Sequence, residues 1–233
     1  MHEESKPAIV RSSNDERPPG ASGETVQRRR RKESRPEEIL IAALEEFAEN
    51  GYAAARLDNV ARRARVAKGT IYLYFASKEK LFQAVVQQAV TPQLDEIEHL
   101  AQAHSGSVED FLRGPFVMLQ RQLLRSDLRR LLRVLLTEGL LFPELTEFYY
   151  KEVVSRGLAV IRTLIAQGVE TGELRETSLV DLPQPLIAGA LVALLWESLF
   201  GRLHPLDSDR LLETHLSVIL DGLKTRPSSV TYH

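Results

Sequence analysis

A chain of 233 residues allows one large or two small domains, and an apolar content of 43% is ample for a core. The absence of cysteine excludes disulfides, thiolate zinc sites and a cysteine nucleophile. The formal net charge of -2 conceals an uneven distribution: residues 28–80 hold 13 lysines and arginines against 8 acidic residues, whereas residues 81–233 hold 14 against 19. A basic front joined to an acidic rear suits a DNA-binding module fused to a part that avoids DNA.

Residues 1–34 are rich in Ser, Pro, Glu and Arg, show no hydrophobic period and read as a disordered basic arm. They hold no apolar secretory-signal core. The longest apolar run, residues 186–196, is too short to span a bilayer, so a cytoplasmic protein with no membrane partner is expected. The run RRRRK at residues 28–32 is either a solvated tail or an arm. Abutting a DNA-binding helix, it would bring Arg28, Arg29, Arg30 and Arg31 to phosphates or the minor groove.

Ser34 and Glu37 have capping-box spacing. Leu40, Ala43, Leu44 and Phe47 then give a first helix its inward stripe, ended by Asn50 and Gly51. Residues 57–75, LDNVARRARVAKGTIYLYF, read as two short helices and a tight turn. Leu57, Val60, Ala61 and Ala64 line the inner face of the first, while Ile71 and Phe75 anchor the second. The second helix thereby turns Lys68, Thr70, Tyr72, Leu73 and Tyr74 wholly or partly outward. A cationic, hydroxylated and aromatic face on a helix too short to fold alone matches the reading element of a helix-turn-helix.

Gly51-Tyr52, Val60-Ala61, Lys68-Gly69-Thr70-Ile71-Tyr72, Tyr74-Phe75 and Ser77-Lys78-Glu79 with Leu81 together resemble the TetR family of transcriptional regulators. The resemblance covers residues 35–82, about fifty positions. It implies an all-α fold: a three-helix helix-turn-helix domain at residues 35–82, a larger helical ligand-binding and dimerisation domain at 83–223, and a flexible tail at 224–233. It further implies that Lys68, Gly69, Thr70, Tyr72, Leu73 and Tyr74 approach DNA. Thr70 and Tyr74 would meet base edges; Tyr72 and Lys78 would meet phosphates. Three positions depart from the family pattern: Arg56 replaces a capping Thr, Arg65 a turn Gly, and Ala67 a frequent Ser. Each lost cap is worth about 1 kcal/mol, and a non-Gly residue in a left-handed turn costs roughly 1 to 2 kcal/mol. A guanidinium at Arg56 or Arg65 can instead reach a phosphate.

Ser77 caps a fourth helix expected to reach Thr91, where Pro92 interrupts it. Further helices are expected over residues 107–125 with a kink at Pro115, 127–141, 143–171, 183–200 and 207–222, nine in all. Residues 186–200 are apolar on nearly every side, which calls for a partner surface. Leu212, Leu216, Ile219 and Leu223 give the last helix a second stripe, and the family resemblance implies that both helices form a homodimer interface. Two recognition helices would then lie about 34 to 36 Å apart and read a pseudo-palindromic operator.

No phosphate-binding glycine loop, nucleophile elbow or paired-histidine metal motif occurs, so neither catalysis, a metal nor a cofactor is expected. Effector pockets are mainly apolar with a few polar anchors. Phe116, Tyr149 and Trp196 are candidates for the lining, and Glu138, continuing the stripe of Leu131 and Leu135, for an anchor that favours a cationic or hydroxylated effector. The expected function is a ligand-released DNA-binding repressor. The alternative is an all-helical binding protein or enzyme with an incidental basic head.

Overall fold

Periodicity of 3.6 residues dominates the chain, and the computed structural model is helical throughout. It describes the backbone of residues 21–224 except Asp127, and side chains from residue 35 onward except those of Asp127 and Leu128. The helices are α1 (Ala21–Ala54), α2 (Leu57–Arg63), α3 (Lys68–Tyr74), α4 (Lys78–Ala103), α5 (Val108–Phe111), α6 (Val117–Arg125), α7 (Leu128–Glu138), α8 (Pro143–Tyr149), α9 (Ser155–Glu170), α10 (Pro185–Phe200) and α11 (Ser208–Leu223). Two π-helical turns, Leu112–Phe116 and Tyr150–Val154, join α5 to α6 and α8 to α9. Nine continuous helices therefore result among the described residues, as the periodicity predicts, beside one 3₁₀ turn at Ser178–Val180. The β-structure there is limited to one isolated bridge, Leu174 to Lys224.

Three boundaries differ from expectation. First, α1 starts at Ala21, so the basic run expected in a disordered arm lies within a helix. Gln, Glu, Arg and Lys are strong helix formers, a preference that a search for hydrophobic period overlooks. The side chains of Arg28, Arg29, Arg30 and Arg31 lie outside the described residues, as do residues 1–20 and 225–233. The described residues up to Glu37 form one unit and those from Glu38 another.

Second, α4 runs unbroken through Pro92. Pro92 removes one intrahelical hydrogen bond, yet Val90, Leu94 and Ile97 are buried on both sides of it, and that packing carries the helix on. α4 therefore carries on past the expected break at Pro92, serving the reading head with Leu81 and Phe82 and the rear core with Leu94 and Ile97. Third, α7 ends at Glu138 rather than at residue 141. There the Thr146 hydroxyl donates to the Gly139 carbonyl at 2.8 Å.

In the head, Ile39, Phe47, Tyr52, Val60, Ile71, Leu81 and Phe82 are buried, with the rings of Phe47, Tyr52 and Phe82 packed at 5.2 to 5.9 Å. The buried face of α1 carries Ile39, Ala42, Ala43 and Phe47, while Leu40 and Leu44 are half-buried. It is thus turned by about one residue from the predicted stripe.

Candidate nucleic-acid interface and effector cavity

A short helix without a capping side chain needs another acceptor for its first amides. Neither Arg56 before α2 nor Ala67 before α3 supplies one. Glu46, fully buried on α1, substitutes for the first: its Oε1 accepts from the Arg56 amide at 3.1 Å and from Asn59 Nδ2 at 2.8 Å. Arg63 Nε lies 3.5 Å from its Oε2, so the buried charge is paired. Sequence reasoning missed Glu46, although it continues the spacing of Ile39, Ala42 and Ala43 at i, i+3, i+4 and i+7, which aims it inward. The turn itself is as predicted: Arg65 has φ of 54°, in the left-handed region.

On α3 the apolar side chain Ile71 is buried, and the opposite face is open. Tyr72, Leu73 and Tyr74 are 50%, 82% and 37% exposed. Lys68 and Gly69 are exposed and Thr70 half-buried. At Gly69 an added Cβ would meet nothing within 4 Å, which leaves room for a close approach by a phosphate or base. Lys68 Nζ pairs with Asp58 of α2 at 2.9 Å, tying the two short helices together, and this carboxylate raises the Lys68 pKa. Arg56 is exposed at the start of α2. Six of the residues predicted to meet DNA on or beside α3, namely Lys68, Gly69, Thr70, Tyr72, Leu73 and Tyr74, thus sit on one short helix whose outward side is free of core packing.

Lys78 does not share that surface. Its ammonium donates to the carbonyls of Tyr52 at 2.7 Å, Ala53 at 3.1 Å and Ala55 at 3.4 Å, and lies 4.6 Å from the centre of the Tyr52 ring. Burial lowers its pKa. In this structure the ammonium expected to meet a phosphate is instead engaged internally, because the carbonyls of Tyr52, Ala53 and Ala55 lie within reach of the first residue of α4.

Glu138 also departs from expectation. Its carboxylate accepts from the amides of Tyr52 at 3.2 Å and Ala53 at 2.7 Å. The stripe of Leu131 and Leu135 does aim it inward, but at this end of α7 the interior is the reading head. The last turn of α1, beyond a kink at Gly51, is therefore gripped twice, by Lys78 of α4 on its carbonyls and by Glu138 of α7 on its amides. Phe142 adds a ring contact to Tyr52 at 4.8 Å.

The rear helices line an apolar cavity of about 180 Å³. Leu94 and Ile97 of α4, Leu123 of α6, Leu132 of α7 and Leu158 of α9 line it, with Phe116 and Tyr149. Both π turns contribute to the wall, through Phe116 and through Val153 and Val154. Such turns often mark functional sites because the widened backbone displaces side chains and opens space. Gln120 is the buried amide there, donating to the Leu186 carbonyl at 3.0 Å. Burial pushes the Tyr149 phenol pKa up, keeping it neutral. Neither Glu138 nor Trp196 lines this space. Trp196 instead donates from Nε1 to the His204 carbonyl at 2.8 Å and stacks edge-on with Phe200, because α10 turns it toward the following loop. With Glu138 elsewhere, the expectation of a cationic or hydroxylated effector, which rested on it, loses its basis.

Along α10, Leu186, Ala193 and Leu194 are buried, whereas Leu191, Val192, Leu195, Leu199 and Phe200 are exposed. The stripe of α11 is used differently from expectation: Leu212, Leu216, Leu220 and Leu223 are buried within the chain. Among the described residues, no three acidic or histidine side chains gather as a metal site, and no helix is long and apolar enough to cross a membrane.

An uncapped but buttressed helix-turn-helix in front of a helical domain with an internal apolar cavity defines a DNA-binding regulator of the one-component kind. Residues 39–85 match the family described as bacterial regulatory proteins, tetR family, and residues 117–213 match the AefR-like transcriptional repressor C-terminal domain. The chain belongs to the TetR family of transcriptional regulators. It is 27% identical over 164 residues to the fatty acid metabolism regulator protein of Bacillus subtilis, covering 69% of this chain and 82% of that one. Its fold is similar to that of the FadR regulator of Bacillus subtilis in complex with stearoyl-CoA, with a TM-score of 0.63 and 21% identity over 80% of this chain and 98% of that one. A SmeT–triclosan complex aligns with a TM-score of 0.71 and 22% identity, over 86% of this chain and 98% of the other.

Proposed function

We propose that this regulator binds a pseudo-palindromic operator as a homodimer and represses transcription until a slender apolar effector enters the rear cavity. One observation carries the reading. The two helices that grip the last turn of α1, α4 through Lys78 and α7 through Glu138, are also walls of the cavity through Leu94, Ile97 and Leu132. An effector that spreads those walls shifts both grips and with them the position of the head, so occupancy of the cavity and docking of α3 share one mechanical element. The cavity is smaller than the roughly 300 to 1,000 Å³ of drug-sized sites. Its apolar wall and neutral polar groups suit a hydrocarbon chain, and an acyl chain is supported by the relative solved with stearoyl-CoA. The apolar residues exposed on α10 support the homodimer.

Duplexes selected from a random pool test the reading, with saturated fatty acids and their coenzyme A thioesters of graded length as probes. A palindromic motif, released at least about tenfold by one range of chain lengths, is the expected result. Recovery of no motif, or of a motif whose binding is indifferent to every chain, overturns it.

A further inference from the structure

Arginines recur at four-residue spacing across α6 and α7: Arg121, Arg125, Arg129 and Arg133. The first two are met by carboxylates of α11. Arg121 pairs with Asp209 and Glu213, and Arg125 with Asp209. The last two are not. Arg129 has no carboxylate partner among the described residues, and Arg133 makes one long contact, 3.4 Å to the Ala48 carbonyl.

These two, with Arg130, border a cleft of about 480 Å³ whose other walls are Ala48 and Glu49 of α1 and Glu197 and Ser198 of α10. Both carboxylates already have partners. Glu49 is held chiefly by Arg63, whose hydrogen bond keeps the Glu49 pKa low with a smaller pull from Arg130, and Glu197 Oε1 accepts from the Leu206 amide at 3.1 Å. Like charges placed close together on one helix repel unless an anion lies between them. Arg121 and Arg125 bind α6 to α11 through acids, whereas Arg129 and Arg133 border the cleft with no carboxylate ion pair of their own among the described residues.

We propose that the cleft binds a phosphate-bearing small molecule, its phosphate held by the guanidinium groups of Arg129 and Arg133. Guanidinium forks match phosphate oxygens in geometry and charge. The occupant touches α1 of the head and both α7 and α10 of the rear. It therefore acts on the same junction as the apolar effector, from a separate site, and adds an anionic input to the regulator.

The test is calorimetric titration of the full chain with sodium pyrophosphate, against sodium chloride of equal ionic strength. Saturable binding is expected in the native protein. The double variant Arg129→Gln/Arg133→Gln should weaken it by about a hundredfold, one decade for each charge-assisted contact. Arg162→Gln, on α9, serves as the control and should bind as the native chain does. If circular dichroism finds the double variant unfolded, Arg129→Gln alone carries the test, with a tenfold loss expected. The proposal falls if pyrophosphate gives no more heat than the salt control, or if the variants bind it equally well. It falls too if pyrophosphate does not bind and the double variant loses duplex affinity or dimerisation, since the arginines would then serve DNA or a second copy.

Discussion

The Glu138 carboxylate lies so close over Gly51 that a Cβ added to this glycine would stand 2.0 Å from Oε1. Gly51 also has φ of 76°, a conformation that L side chains rarely adopt. Two independent reasons thus demand glycine at the end of the first helix. One is local and concerns the turn; the other is tertiary and concerns α7.

The two can be separated by a mutant cycle. Gly51→Ala should destabilise by about 2 to 4 kcal/mol, combining backbone strain with the clash. Glu138→Ala, which leaves two amides to solvent or unpaired, should destabilise by about 1 to 2 kcal/mol. In the double variant the clash is gone, so the combined loss should fall short of the sum by at least about 1 kcal/mol. Strictly additive losses in denaturant titrations would show that the carboxylate does not press on this turn.

Lys78 gives a second contrast. In Lys78→Met the Tyr52 and Ala53 carbonyls lose their donor, and stability should fall by about 1 to 3 kcal/mol. The slope of log operator affinity against log salt should stay as it is. A phosphate role would do the reverse, leaving stability intact and flattening the slope by about 0.9 per subunit. Thermal unfolding and anisotropy at several salt concentrations distinguish the two.

For the reading face, Thr70→Ala and Tyr74→Ala should each weaken operator binding by about 1 to 3 kcal/mol and relax base preference at one position of each half-site. Motif selection repeated with both variants checks this. An unchanged motif would falsify the assignment of α3 as the reading helix.

The exposed face of α10 yields a prediction about assembly. Leu191→Arg places a charge among Val192, Leu195 and Leu199 and should give monomers in sedimentation, with operator affinity reduced because a single half-site supplies about half the contacts. A stable dimer in this variant would argue that α10 is not the interface. Leu191 also borders the cavity, so effector binding should be measured in the same variant.

Much of this molecule was legible in the chain. The stripes of α2 and α3 fall where the 3.6-residue period puts them, and the outward set from Lys68 to Tyr74 needed only the positions of Ile71 and Phe75. Arg65 stands where the family resemblance implies a turn glycine, and it takes the left-handed conformation that position needs. Such features depend on residues within one or two turns of each other.

What only the tertiary structure decided concerns residues whose direction was clear and whose partner was not. Periodicity aimed Glu138 inward correctly, but whether inward meant cavity or reading head depends on what packs against the end of α7. Lys78 likewise begins a helix in the manner of a phosphate contact, and turns inside because the carbonyls left unpaired at the end of α1 lie within its reach. Glu46 caps a helix ten residues away in sequence, so no local rule would place it there. Pro92 fails to end α4 because burial of Val90, Leu94 and Ile97 outweighs one lost hydrogen bond. A sequence determines the face on which a side chain stands through bond geometry repeated along one helix, whereas the group it meets there is settled by how separate helices pack, and that depends on the whole core at once.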